Sequence, residues 1–242
     1  MSDFYFIRHG QAGTRLEYDT LSELGHQQAL LLGAYLAGQN VSFSRIIIGA
    51  LNRHQQTAAS VLTAYQVDGD KYPEPVTDPE WNEFDLDAVY QSIAPQLAKD
   101  DAIFAAQYQA LQQQVAEHGA TSDSTINRSW NPCDTAVIHA WVTARYPVTC
   151  ETWAAFRGRI CGALAKLVAS NPDGDVAIFT SATPTAISLA QAMDLSDRKM
   201  FQLAGVMINS AISVIRMKDG EIRMFSFNSV PHLDDAAMRT HR

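Results

Sequence analysis

The chain has 242 residues, 47% hydrophobic and 18% charged, which is typical of a globular protein with one large α/β domain or one domain that carries an insertion. Its formal net charge of −8 argues against a surface that binds nucleic acid or an anionic membrane. An anionic substrate must therefore be held by a local group of arginines rather than by the overall charge.

The first predicted element is a buried strand over residues 4–7. Neither a basic segment nor a long apolar stretch precedes this strand, so we expect a cytoplasmic protein. The sequence Thr-Leu-Ser-Glu at residues 20–23 is a capping box. It predicts a helix with Thr20 as its N-cap residue and Glu23 reaching back to it.

Strands and helices then alternate along the chain. A β-branched run at residues 46–48 predicts the second strand, and residues 51–65 are predicted to form the helix after it. The third strand, over residues 176–179, follows a long helix whose apolar residues recur at three- and four-residue spacing: Trp153, Phe156, Ile160, Leu164 and Leu167. This alternation favours an α/β fold with a mostly parallel central sheet and helices on both faces.

The C-terminal part of the chain predicts a hairpin. Two strands, over residues 211–217 and 222–227, are joined by Lys-Asp-Gly-Glu. Asp-Gly between two strands is a hairpin signal. We therefore expect the last two strands to be antiparallel.

The middle of the chain, residues 73–147, has a different composition. Asp, Gln, Ala and Ser are frequent there, and no strand pattern is visible. We expect residues 87–118 to be helical and residues 121–132 to form a loop. We interpret the chain as a single domain, residues 1–242, with a helical insertion that caps the carboxyl edge of the sheet and determines specificity.

The most informative motif is Arg8-His9-Gly10, directly after the first strand. The guanidinium of Arg8 can bind two phosphoryl oxygens at once, and Gly10 allows a ligand to approach the backbone. A neutral imidazole at His9 can attack phosphorus and form a covalent intermediate. The motif therefore predicts a phosphate site.

Two further motifs follow the second and third strands. Arg53 lies in Leu-Asn-Arg-His-Gln-Gln-Thr-Ala, and Ser181, Ala182, Thr183 and Pro184 follow the third strand. In a parallel sheet all three strand ends lie at the carboxyl edge, where such folds bind ligands. Thr183 is predicted to be an N-cap residue with Pro184 in the first turn, so a helix N-terminus would point into the site.

These motifs resemble the histidine phosphatase superfamily, also called phosphoglycerate mutase-like. The resemblance includes Leu-Gly-His-Gln-Gln-Ala at residues 24–29 and Asn-Ser-Val-Pro-His-Leu at residues 228–233. It implies that His9 is the nucleophile that becomes phosphorylated and that Arg8 and Arg53 hold the phosphoryl oxygens. It also implies a substrate site lined by Gly10, Gln11, Ser181, Ala182 and Thr183.

The resemblance further implies a carboxylic acid that protonates the leaving oxygen. Glu83 is the best match, and Asp85 is the alternative. Such an acid must hold its proton at neutral pH, which burial near Trp81 and Phe84 would favour.

One expected residue is missing from the motif after the third strand. The family pattern has a second histidine there, usually followed by glycine, where this chain has Ala182 and Thr183. Losing one donor of this kind typically lowers the rate by about 10²- to 10³-fold. An introduced knock-out would explain Ala182, but the unusual Thr183 and Pro184 favour natural divergence.

No other histidine is predicted to replace the missing one. His54 follows Arg53 directly and is expected to point elsewhere on its helix, with a surface or packing role. His26 and His232 match family positions that we interpret as structural.

The site residues also have simpler interpretations. Arg8 and His9 could form an ion pair at a strand end, and Arg53 could be a solvated helix residue. Glu83 could be a surface residue, since its neighbourhood contains other acids: Glu80, Asp85 and Asp87.

The cysteines predict neither a disulfide framework nor a metal site. Cys133, Cys150 and Cys161 are few and odd in number, and none has a partner at zinc-ligand spacing. We therefore expect no structural metal and no cofactor.

The leading functional hypothesis is a phosphatase that acts through phospho-His9 on a small phosphorylated metabolite or a phosphoprotein, with reduced or specialised activity. A non-catalytic phosphate-binding or regulatory protein on the same fold is the second hypothesis. A phosphoglycerate mutase-type phosphotransferase is the third. The sequence determines neither the substrate nor the oligomeric state.

Overall fold

The structure is a computed structural model that describes residues 1–13, 19–65, 72–118 and 132–241. Its strands are β1 (Ser2–Arg8), β2 (Phe43–Ile48), β3 (Val76–Thr77), β4 (Asp175–Thr180), β5 (Ile212–Lys218) and β6 (Glu221–Ser229). Its helices are α1 (Glu23–Gly38), α2 (Asn52–Ala64), α3 (Leu86–Asp100), α4 (Ala102–His118), α5 (Pro132–Val142), α6 (Trp153–Ala169), α7 (Ala182–Met193) and α8 (Asp197–Val206).

The strands form one six-stranded sheet in the order β3-β2-β4-β1-β5-β6. The first four strands in this order are parallel, and β5 and β6 are antiparallel to their neighbours. The prediction of an α/β fold with a mostly parallel sheet is confirmed. The short strand β3 lies in the segment where no strand was expected, so that expectation was wrong.

The register of the parallel strands brings three chain segments to one level. Arg8 at the end of β1 pairs with Thr180 at the end of β4, and Ile48 at the end of β2 pairs with Phe179. The loops after these strands therefore start at the same edge of the sheet, which is the carboxyl edge of its parallel part.

Buried apolar side chains stabilise this part of the sheet. The strands contribute the runs that the sequence predicted, and α1 and α2 cover them with small and branched residues: Ile7, Ala29, Leu32, Leu36, Ile46, Ile48, Ala58, Val61, Ala177 and Phe179. Each fully buried leucine, isoleucine, valine or phenylalanine of this set stabilises the folded chain by about 1.5–3 kcal/mol relative to exposure.

The C-terminal hairpin is confirmed, with β5 and β6 antiparallel. Its turn has positive φ at both central residues, 54° at Asp219 and 80° at Gly220. This is the conformation of a two-residue hairpin turn whose twist matches that of the strands.

Two predicted N-caps were wrong. α1 starts at Glu23, and its N-cap is Ser22, which accepts a hydrogen bond from the Gly25 backbone N–H. α7 starts at Ala182, and its N-cap is Ser181 rather than Thr183. In both cases a neighbouring serine takes the position because the preceding strand or loop fixes where the helix starts.

The chain divides into two compact units, with boundaries after Glu83 and after Arg159. The first unit contains the sheet, and the second contains α3, α4 and α5. The helical prediction for residues 87–118 is confirmed as two helices, because Asp101 interrupts the run and accepts hydrogen bonds from two backbone N–H groups of α4. Most of the predicted loop at residues 121–132 lies outside the described residues.

The second unit has an aromatic core of its own. Phe84 lies 4.8 Å from Trp141 and 5.5 Å from Phe156, measured between ring centroids. Ring pairs at these distances add stability beyond the area that they bury.

None of the described helices has both the length and the hydropathy that a bilayer span requires.

Candidate active site

His9 follows the last residue of β1 and is 2% exposed. Its Nδ1 atom lies 2.7 Å from the carbonyl oxygen of Gly10. A carbonyl oxygen only accepts, so Nδ1 carries the proton and donates it. In a neutral ring this leaves the lone pair on Nε2, which has no hydrogen-bond partner within the described part of the chain. The structure thus holds the tautomer that a nucleophilic imidazole requires.

The charge state of His9 is set by its surroundings. Burial lowers the pKa of His9 well below its usual value, and the positive charges of Arg53 and Arg8 lower it further. The imidazole is therefore neutral at physiological pH. Both guanidinium groups thus act electrostatically on the ring.

Arg8 is almost completely buried, and backbone carbonyl oxygens hold its guanidinium. One terminal nitrogen donates to the carbonyl of Met207, and the other donates to that of His241 at 2.8 Å. These two bonds fix the plane of the guanidinium.

Arg53 lies in the first turn of α2, and its side chain is 7% exposed. Its guanidinium donates to the Asp19 carboxylate at 3.0 Å. The other carboxylate oxygen accepts from the Asn52 backbone N–H at 3.2 Å. Sequence reasoning missed Asp19, because an isolated acid in a loop carries no pattern that relates it to a helix start 33 residues away.

Gly10 has a structural reason in addition to the predicted one. A Cβ atom at this position would lie 2.4 Å from the carbonyl oxygen of Gly25, so only glycine allows the two backbones to approach. The Gly10 backbone N–H also donates to the Thr57 hydroxyl at 3.0 Å. Gln11, the next residue, accepts a hydrogen bond of 2.8 Å from Ser22 at its side-chain oxygen.

The three residues that follow β4 have different environments. Ser181 is 1% exposed, Ala182 is half-buried, and Thr183 is buried. The Thr183 backbone N–H donates to the Glu83 carboxylate at 3.1 Å. The N-terminus of α7 therefore faces a carboxylate, which is the charge that this end of a helix favours.

The two predicted acids occupy different positions. Glu83 reaches the first turn of α7 through its bond to Thr183. Asp85 is the N-cap of α3, where its carboxylate accepts from the Ala88 backbone N–H at 2.9 Å. Trp81, the predicted apolar neighbour, is buried and packs edge-on against Phe6, with 5.6 Å between the ring centroids. Glu83 thus lies against the first turn of α7, whereas Asp85 caps α3.

The prediction that His54 points elsewhere was wrong. Its side chain is fully buried, its ring centroid lies 5.8 Å from that of His9, and its Nε2 atom lies 2.7 Å from the Ser181 hydroxyl oxygen. Arg53 and His54 both face the strand ends because each lies in the first turn of α2, where the helix starts directly at that edge.

A signal for this position of His54 was present in the sequence. A Cβ atom at Gly49 would lie 2.2 Å from His54 Nδ1, so the glycine after β2 makes room for the imidazole.

Among the described residues, no group of three His, Cys, Asp or Glu side chains could hold a metal ion.

Comparison with known families identifies the class of protein to which this fold and this site correspond. Residues 4–137 and 119–230 match the model of the histidine phosphatase superfamily, branch 1. The chain belongs to this family.

Individual relatives are more distant. A mitochondrial serine/threonine-protein phosphatase, Pgam5 from Caenorhabditis briggsae, is 37% identical over 60 residues, which cover 25% of this chain and 21% of that protein. The chain thus matches about a fifth of the length of that relative.

Solved structures share the fold over nearly the whole chain. YhfR from Bacillus stearothermophilus superposes with a TM-score of 0.64 at 17% identity, covering 97% of this chain and 100% of that one. A putative α-ribazole-5′-P phosphatase from Escherichia coli gives 0.62 at 19% identity, with 95% and 98% covered. A mycobacterial glucosyl-3-phosphoglycerate phosphatase gives 0.57 at 19% identity, with 95% and 99% covered.

Proposed function

We propose that this protein hydrolyses phosphoric monoesters through a phosphohistidine at His9. The observation that carries the proposal is the hydrogen bond from His9 Nδ1 to the Gly10 carbonyl. It leaves the Nε2 lone pair available beside two buried guanidinium groups. The phosphatases among the relatives and structural neighbours support the same type of reaction.

In the first step, Nε2 of His9 attacks the phosphorus atom. The N–P bond forms while the bond from phosphorus to the ester oxygen breaks, and Glu83 gives its proton to the leaving oxygen. The charges of Arg8 and Arg53 neutralise the phosphoryl oxygens, which is the main requirement of phosphoryl transfer.

In the second step, water hydrolyses phospho-His9. The Glu83 carboxylate takes a proton from water as the water oxygen attacks phosphorus, and the N–P bond breaks. Inorganic phosphate leaves, and His9 returns to the neutral form. The bond from the Thr183 N–H to Glu83 favours the carboxylate that this step needs. In the first step the phosphoryl charge favours the protonated acid.

The substrate class is a phosphorylated small molecule or a phosphoprotein. The names of the similar proteins include both kinds: one is a serine/threonine-protein phosphatase, one a putative α-ribazole-5′-P phosphatase and one a glucosyl-3-phosphoglycerate phosphatase. We expect the described insertion helices to contribute to the choice of substrate and to act as a cap.

The test is the reaction of wild type and His9→Ala with p-nitrophenyl phosphate. We expect turnover in the wild type, a phosphoryl group on His9 that mass spectrometry detects after an alkaline quench, and no turnover in the variant. His26→Ala is the matched control, since His26 bonds to Ser60 between α1 and α2 and should leave the rate largely unchanged. Equal rates for wild type and His9→Ala would refute the proposal.

A non-catalytic phosphate-binding protein is the second candidate. The ion pair between Asp19 and Arg53 and the alanine at position 182 favour it, because both reduce the positive charge offered to a phosphoryl group. Binding of inorganic phosphate without turnover on a broad panel of phosphate monoesters would establish this role. Activity that a bisphosphate primer stimulates, with little hydrolysis, would instead indicate a mutase.

A further inference from the structure

His54 and Ser181 form a buried side-chain pair next to the nucleophile. The pair joins the first turn of α2 to the start of α7, with 2.7 Å between His54 Nε2 and Ser181 Oγ. Both side chains are 1% exposed or less. The ring of His54 also lies 5.8 Å from that of His9, measured between centroids. The imidazole of His54 therefore lies close to both Ser181 and His9.

Ser181 and His9 each follow the last residue of a strand, in β4 and β1 respectively. Arg8 pairs with Thr180, and the His9 backbone N–H donates to the Thr180 carbonyl at 2.9 Å. Continuing this register by one residue places Ser181 next to His9. Neighbouring residues of parallel strands present their side chains to the same face of the sheet.

The Ser181 hydroxyl does not perform the usual task of its position. Ser181 is the N-cap of α7, yet its side chain makes no capping hydrogen bond. A serine at this position normally accepts from the second or third backbone N–H of its helix. Here the hydroxyl bonds to His54 instead.

The proton on His54 can be assigned from its contacts. Within the described part of the chain, Nδ1 of His54 is buried and has no hydrogen-bond partner. A buried N–H without an acceptor is rarer than a buried lone pair without a donor, so the proton is on Nε2, which donates to Ser181 Oγ. Burial lowers the pKa of His54 well below its usual value, and Arg53 lowers it further, so Nδ1 stays unprotonated.

This arrangement directs the serine proton. Because Ser181 Oγ accepts from His54, its own O–H must point to a different acceptor, and no residue in the described ranges supplies one. A phosphoryl oxygen above His9 would complete the pattern. Gly49 makes room for this arrangement, because a Cβ atom there would collide with the imidazole of His54.

We propose that Ser181 donates a hydrogen bond to the transferring phosphoryl group and that His54 is the positioning residue that holds the Ser181 hydroxyl for this purpose. The pair supplies an uncharged donor from the strand end at which the expected histidine is missing. This inference rests on the proposed phosphatase function and names two groups that this function uses.

The test compares Ser181→Ala, His54→Phe, His54→Gln and the double variant Ser181→Ala/His54→Phe on p-nitrophenyl phosphate. Phenylalanine keeps a flat ring without a donor, whereas glutamine keeps an N–H near the place of Nε2. We expect each of the first two changes to lower kcat/KM by about 10- to 100-fold. His54→Gln should recover most of this loss. The double variant should match Ser181→Ala within about twofold, because His54 acts only through Ser181.

A matched control separates this role from loss of a buried hydrogen bond in general. His26 Nδ1 and Ser60 Oγ form a second histidine–serine bond, 2.9 Å long, between α1 and α2. We expect His26→Phe and Ser60→Ala to change kcat/KM by less than about threefold at a similar loss of melting temperature.

The outcomes distinguish the two proposals. If His9→Ala is inactive while Ser181→Ala and His54→Phe keep the wild-type rate, the inference is wrong and the phosphatase function stands. Losses that add in the double variant, with no recovery in His54→Gln, would show that His54 is merely structural and overturn the inference. If His9→Ala keeps its activity, the phosphatase proposal fails, and the Kd for inorganic phosphate decides the inference. Equal Kd values in wild type, Ser181→Ala and His54→Phe then refute it.

Discussion

The carboxylate of Asp19 lies 3.0 Å from the guanidinium of Arg53, with 45% of the acid side chain and 7% of the arginine side chain exposed. Arg53 thus presents its charge toward His9 from a buried position, while its partner is open to solvent. A phosphoryl dianion that binds to Arg53 meets this negative charge nearby.

Replacing Asp19 with asparagine should strengthen the binding of inorganic phosphate. The amide oxygen can still accept from Arg53 and Asn52, but the repulsion between two anions is removed. We expect phosphate to inhibit Asp19→Asn at about fivefold lower concentration than wild type. A competitive inhibition series at constant ionic strength measures this. Weaker inhibition would show that the charge of Asp19 serves mainly to hold Arg53 in place.

Glu83 and Asp85 should respond differently to removal of their charge. If Glu83 is the proton donor, Glu83→Gln lowers kcat on phenyl phosphate, whose leaving group needs a proton, by about 10²- to 10³-fold. The loss on p-nitrophenyl phosphate should be much smaller, because nitrophenolate leaves without protonation. Steady-state rates on the two esters give the comparison.

Asp85→Asn is the matched control for Glu83→Gln. Asparagine is as good an N-cap as aspartate, so α3 keeps its first turn and the rates on both esters should stay near those of the wild type. An equal loss on both esters in Glu83→Gln, or a large loss in Asp85→Asn, would contradict the assignment.

Ala182→His tests whether the missing histidine limits the rate. Ala182 is the half-buried first residue of α7, so an imidazole there would start from the same strand end as Ser181. A protonated imidazole would add the charge that the uncharged Ser181 lacks, and we expect kcat on an aryl phosphate to rise by up to about 10²-fold. An unchanged rate, measured beside Ala182→Ser, would mean that position 182 does not face the phosphoryl group.

The stability of the fold should fall as the pH drops from neutral. Burial lowers the pKa of His232 to about 4 in the folded chain, whereas an unfolded histidine titrates near 6.5. Between these values the unfolded chain binds more protons, so the free energy of unfolding increases with pH. The stability that the neutral His232 contributes is therefore fully present above about pH 6.5 and is lost progressively down to about pH 4.

His232→Gln should reduce this dependence. Glutamine does not titrate and can keep a hydrogen bond to Ser210, which now lies 2.8 Å from His232 Nε2. The free energy of unfolding should fall between pH 7 and pH 5 in both proteins. We expect the fall to be about 2 kcal/mol smaller in His232→Gln than in wild type. Urea unfolding at both pH values measures the two free energies. Parallel pH dependences would show that His232 is protonated in the folded state.

Local patterns were sufficient for the elements that carry the site. Arg8 and His9 come directly after a run of apolar residues, and a short buried run of this kind forms a strand in whatever fold contains it. The Asp-Gly turn likewise determines its own hairpin. The chain order of strand, loop and helix then determined a parallel sheet, and thereby the common edge of three strand ends.

Other parts depended on contacts between segments that are distant in the chain. The N-caps moved to Ser22 and Ser181, because the end of the preceding strand or loop decides which of several suitable residues starts a helix. Asp19 could not be related to Arg53 by any spacing rule. For the same reason no spacing rule related Glu83 to the Thr183 backbone N–H.

The sequence by itself determined the class of fold and the family, and it predicts the nucleophile, because these depend on residues that are adjacent in the chain or on the order of its elements. Only the tertiary structure decided that His54 turns inward to bond Ser181. Its place depends on the missing side chain at Gly49 and on the register between β2 and β4, and both become relevant only when the strands lie side by side.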